Sequence, residues 1–110
     1  MQADTREERG AWVVVLAGEI DLEQSPKARE ILLESVGRGL PVLVDLSAVE
    51  YIDSSGVASL VEALQKARGQ DTGFTLAAPG PGVRRVLELA RLDKVFRICD
   101  TLEEGFVGGS

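Results

Sequence analysis

Val42-Leu43-Val44-Asp45-Leu46-Ser47-Ala48-Val49-Glu50-Tyr51-Ile52-Asp53-Ser54-Ser55-Gly56-Val57 passes from a β-branched apolar run, through a polar stretch, to the start of a helix. Val42 to Leu46 reads as a strand buried on both faces. Val57, Leu60, Val61, Leu64 and Ala67 then recur at helical spacing, which predicts a helix from about Ser54 to Arg68 that stops at Gly69. A buried strand feeding a helix is the repeating unit of an α/β fold.

The flanking sequence extends this unit in both directions. Ala11 to Ala17 is a second buried-strand run, ended by Gly18. Glu8-Arg9-Gly10 reads as a turn that hairpins a polar edge strand, residues 2–7, onto it. Ala28, Ile31, Leu32 and Val36 place a helix within 22–38 that Gly37 and Gly39 close. It starts at Ser25-Pro26, as N-cap and first helical position, or a turn earlier at Asp21. Beyond the central helix, Phe74 to Ala77 is a buried strand, and Pro79-Gly80-Pro81-Gly82 turns into a helix carrying Val83, Val86, Leu87 and Ala90. Residues 95–98 give a last short strand and 101–107 a short helix. The order β-β-α-β-α-β-α-β-α implies a mixed, mainly parallel sheet of about five strands with helices packed on it, in one domain spanning 1–110. Sites in such sheets gather beyond the strand C-terminal ends. Two loops qualify: Gly18-Glu19-Ile20-Asp21 and the longer Ser47-to-Gly56 connection.

Composition narrows the chemistry. The net charge is −6 and no basic run exceeds Arg84-Arg85, so neither nucleic acid nor an anionic membrane surface is expected as a partner. No apolar run approaches the ~20 residues of a membrane span, and the acidic first residues lack a signal-peptide core; a cytoplasmic protein without membrane insertion is expected. Cys99, the single cysteine, reads as a small core hydrophobe in a reducing compartment. Histidine is absent, which removes Ser-His-Asp and Cys-His catalysis and the commonest metal ligand. The chain therefore reads as a binding protein with no catalytic residue, metal or cofactor. Pro79-Gly80-Pro81-Gly82 is no phosphate cradle, because each proline lacks a backbone donor. Asp45 reads as a cap on the turn after its strand. A phospho-receiver role for it would need acidic residues after the first long strand, where Ala17-Gly18-Glu19 stands.

Asp53-Ser54-Ser55-Gly56 carries the most chemistry. It delivers two hydroxyls to a helix start, where backbone N–H groups are unpaired and the dipole favours negative charge. Capping explains one such residue, not three in a row followed by a poor helix former. The glycine leaves backbone exposed for close approach by a partner, and a hydroxyl here could carry a phosphate facing the helix N-terminus.

The stretch from Asp45 to Val57, Asp-Leu-Ser-x-Val-x-Tyr-Ile-Asp-Ser-Ser-Gly-Val, resembles the signature of the STAS family, the bacterial anti-sigma factor antagonists. Leu16-Ala17-Gly18-Glu19-Ile20-Asp21 is similar to that family's strand-end loop, and Pro81 to Phe96 to its last long helix and following strand. The resemblance implies a STAS-like fold, with Ser54 as phosphoacceptor and Asp21, Asp53, Ser55, Gly56 and Val57 as the partner-binding surface. It implies as partners an anti-sigma factor serine kinase, which the unmodified protein binds so that the sigma factor is freed, and a serine phosphatase that reverses phosphorylation. Relatives with a second glycine shortly after Gly56 differ from this chain, which has Ala58-Ser59 there. The same family also supplies regulatory subunits of ABC-type lipid transporters and of stress-sensing complexes, an alternative role.

Overall fold

The computed structural model describes residues 1–107, so the last three residues of the expected domain lie outside the described residues. Strands β1 (Gln2–Glu8), β2 (Ala11–Ile20), β3 (Val42–Ile52), β4 (Phe74–Ala77) and β5 (Arg97–Cys99) form one sheet in that spatial order. β1 runs antiparallel to β2, and every other pair is parallel. The helices are α1 (Ser25–Val36), α2 (Ser54–Gly69), α3 (Pro81–Leu89) and α4 (Leu102–Val107). Element order and sheet type match the sequence expectation.

Alternation along the strands divides the sheet into two unequal faces. Val14 and Leu16 of β2, Val42, Val44 and Leu46 of β3, and Phe74 and Leu76 of β4 join one core with α1, α2 and α3. On the other face Ala11, Val13 and Leu43, with Val15, meet among the described residues a single helix, α4, through Leu102 and Phe106. At ~1.5–3 kcal/mol for each fully buried large aliphatic side chain, the three-helix face supplies most of the hydrophobic stabilisation. Asp45, on the thinner face, accepts the Ser47 N–H at 3.0 Å inside β3, so it caps no turn: the strand runs on where the turn was expected.

Two strands outrun their expected ends. β2 continues through Gly18, whose φ of 86° suits a residue without a Cβ, to Ile20. β3 continues to Ile52, so most of the expected Ser47-to-Gly56 loop is strand. The cause lies in the register: β2 and β3 shift between Val15 and Ala17 and again between Gly18 and Glu19, with β3 holding one extra residue each time. Each bulge resets the alternation, so Leu46, Val49 and Ile52, three apart, all turn into the core. A three-residue apolar spacing does not look like a strand. At the other end β5 spans 97–99 instead of 95–98: Val95 is turned outward, while Phe96 packs near Phe74 with ring centroids 6.2 Å apart.

α1 and α2 lie side by side. The Ser59 hydroxyl lies 3.2 Å from both the Ser25 and the Ser55 carbonyl oxygens, Arg29 pairs with Glu62, and Lys66 and Gln70 donate to the Leu33 and Val36 carbonyls. Ser25 proves to be the first helical residue instead of the cap; Gln24 occupies the cap position, and Asp21 closes the turn before it by accepting the Gln24 N–H at 3.0 Å. Trp12, next to the hairpin, donates its indole N–H to Ser35 Oγ at 3.1 Å and stacks under Arg38.

Candidate functional site

Parallel strands β2 and β3 end side by side at Ile20 and Ile52, and the chain leaves each toward the same corner. Asp53 joins the two exits. Its Oδ1 accepts the Ser55 and Gly56 backbone N–H groups at 3.0 and 3.2 Å and the Ser55 hydroxyl at 2.5 Å; its Oδ2 accepts the Leu22 N–H at 3.1 Å. Asp53 is thus the N-cap of α2 and also the tie that fixes the Asp21-Leu22 turn against it. The Ser55 hydroxyl, then the backbone donors, hold its carboxyl below the ordinary carboxylate value against the opposing effect of desolvation. At neutral pH this group is a fixed anion and a poor proton acceptor.

The two serines differ. Ser55 is half-buried and its hydroxyl is committed to Asp53, whereas Ser54, at the first position of α2, is exposed. Asp21 is half-buried beside them, with its carboxylate turned to Gln24. Gly56 and Val57 are both buried. The glycine therefore does not expose backbone as expected: a Cβ there would stand 2.6 Å from the Ile20 carbonyl oxygen and 2.7 Å from Ile52 Cγ1. Its role is to let α2 begin directly against the two strand ends.

Leu22 and Tyr51, which sequence reasoning did not single out, are 76% and 50% exposed beside this turn. The available signal was an apolar residue set among Glu and Asp in each strand-end segment, Glu19 to Glu23 and Glu50 to Asp53. Ser59 is buried and uses its hydroxyl to knit α1 to α2. Cys99 is half-buried, with Sγ 3.2 Å from the Thr101 carbonyl oxygen; burial pushes its thiol pKa up, away from reactive-thiolate behaviour. Among the described residues no three His, Cys, Asp or Glu side chains converge on a metal-sized space, and no helix is long and apolar enough to cross a membrane.

A family model described as the STAS domain matches residues 2–105, the span of the whole sheet and of the Asp53 turn. The chain belongs to the STAS domain family. This STAS domain is 38% identical over 100 residues to the anti-sigma-F factor antagonist RsfB of Mycobacterium tuberculosis, covering 90% of this chain and 81% of that one. It is 30% identical to an anti-sigma-B factor antagonist of Listeria monocytogenes, over 88% of this chain and 84% of that one. Among solved structures, an anti-sigma factor antagonist of Mycobacterium paratuberculosis superposes with a TM-score of 0.91 at 33% identity, covering 98% of this chain and 92% of that one. The mixed α/β fold expected from sequence is shared with solved anti-sigma factor antagonist structures, which superpose with TM-scores of 0.90 and 0.78.

Proposed function

We propose that this STAS domain is an anti-sigma factor antagonist acting as a phosphorylation-controlled binding switch, not as an enzyme. The supporting observation is the unequal pair of serines: Ser55 is tied to Asp53 at 2.5 Å, and Ser54 is exposed at the start of α2. The names of its 38% and 30% identical relatives give the partner class, an anti-sigma factor. In its unmodified form the domain binds an anti-sigma factor serine kinase and frees the sigma factor. The kinase transfers the γ-phosphoryl group of ATP to Ser54 Oγ: the new O–P bond forms as the bond to ADP breaks. The hydroxyl proton passes to a base of the kinase, since this chain has no histidine and Asp53 is held ionised by its hydrogen bonds. A serine phosphatase restores the binding form.

The added group carries about −1.5 to −2 charges. The N-terminal dipole of α2 tolerates it, so the fold need not change. Inside an interface the same charge must be desolvated next to Asp53, and a differential of ~3–5 kcal/mol lowers affinity roughly 100- to several-thousand-fold. The test is incubation with the anti-sigma factor kinase of the same organism and ATP, followed by mass spectrometric location of the phosphate and titration of variants. Ser54 is expected to be modified, Ser54→Ala to bind without being modified, and Ser54→Asp to lose binding. Modification elsewhere, or wild-type binding by Ser54→Asp, would overturn the switch.

A further inference from the structure

We infer that the partner grips this STAS domain through two apolar anchors, Leu22 and Tyr51, set in a collar of carboxylates, and that its own contact face offers apolar hollows within a basic rim. The inference rests on the binding switch proposed above and names what binding at the Asp53 turn requires of the partner.

Four large apolar side chains are exposed among the described residues: Leu22, Tyr51, Leu89 and Val95. Leu89 and Val95 lie toward the opposite end of the sheet. Leu89 closes α3, which runs back from the end of β4, and the Val95 carbonyl accepts from Arg68 in the last turn of α2. Leu22 and Tyr51 instead flank Asp53, one through the Leu22 N–H on its carboxylate and the other two residues before it on β3. Both backbones are fixed by hydrogen bonds, so seating these side chains in a partner costs little ordering entropy. A half-exposed tyrosine on a rigid strand is a favourable interface anchor.

Charge specifies the rest of the partner. Glu19, Asp21 and Glu23 on one segment, with Glu50 and Asp53 on the other, put five carboxylates on the two short stretches that carry the anchors. No Lys or Arg occurs in residues 10–26 or 39–65, and Arg29, which shares a surface hollow with Ser55, is paired with Glu62. An uncompensated field of one sign weakens the compact state but steers an oppositely charged surface into place. A matched basic rim also explains why a phosphate still disrupts: the rim balances the carboxylates already present, and the new dianion stands uncompensated beside them.

The experiment measures association and dissociation rates with the purified kinase of the preceding test. Leu22→Ala and Tyr51→Ala are each expected to raise Kd at least tenfold, mainly through faster dissociation, with Leu89→Ala within twofold of wild type. Raising NaCl from about 50 to about 500 mM is expected to slow association at least tenfold. Both substitutions are on the surface, and thermal melts verify folding. Wild-type affinity in Leu22→Ala and Tyr51→Ala, or a salt-insensitive association rate, would overturn the inference. If Ser54→Asp still loses binding then, the phosphorylation switch stands without these anchors; if instead Ser54→Asp binds and the anchor variants do not, the switch fails and the anchors stand.

Discussion

Replacing Gly56 by alanine tests the account of the site corner most directly. In an unconstrained helix this change stabilises, by roughly 0.8–1 kcal/mol of propensity. Here the added Cβ would meet the Ile20 carbonyl oxygen at 2.6 Å, Ile52 Cγ1 at 2.7 Å and Ile20 Cγ2 at 2.9 Å. The two isoleucine carbons can shift a little, but the carbonyl belongs to the strand end and also accepts the Asp53 N–H at 3.3 Å. Overpacking of this kind costs ~1–3 kcal/mol, and a backbone obstacle puts the cost at the upper end. The propensity gain offsets about a third of it, leaving ~1–2 kcal/mol of net destabilisation, or roughly 4–10 °C in Tm. Gly69 supplies the control, because it lies in the same helix with nothing within 4 Å of its Cβ position. Gly69→Ala is expected to be neutral or stabilising by up to ~1 kcal/mol. Urea denaturation of both variants at one pH reads the difference, and amide shifts at Asp53 and Leu22 report displacement of the turn. Gly56→Ala as stable as Gly69→Ala would refute the reasoning, because the strand ends would then have room for the methyl group.

Two further outcomes follow from the same corner. Because the Asp53 carboxyl titrates below its ordinary value in the folded chain, its contribution is fully present above about pH 4 and is lost as pH falls through the lowered folded value. The urea midpoint of Asp53→Asn should therefore fall less steeply than that of wild type on acidification below pH 4; parallel curves would show that this group is not the one linked. Ser59→Ala removes the hydroxyl that bridges the Ser25 and Ser55 carbonyls and should destabilise by ~0.5–1.5 kcal/mol in urea melts; no loss would mean those carbonyls find other donors.

Local pattern was enough for much of this protein. Helical spacing of Val57, Leu60 and Leu64 located α2, β-branched runs located β2 and the first half of β3, and polar residues 2–7 marked an edge strand. Asp-Ser-Ser-Gly at a helix start identified the turn, because capping resides in residue type. What the pattern missed depended on neighbours distant in the chain. The extra residue at each β2–β3 bulge is visible only against the partner strand, so Leu46, Val49 and Ile52 read as loop until β2 is laid beside them. Likewise, Gly56 looked like exposed backbone until Ile20, 36 positions earlier, came within 2.6 Å of where its Cβ would be. The sequence by itself determined which residue types stand at the turn: hydroxyls, a capping carboxylate, and no histidine. Only the tertiary structure decided their surroundings, because hydrogen bonds from Leu22 and Ser55 to one aspartate engage the Ser55 hydroxyl and leave Ser54 exposed.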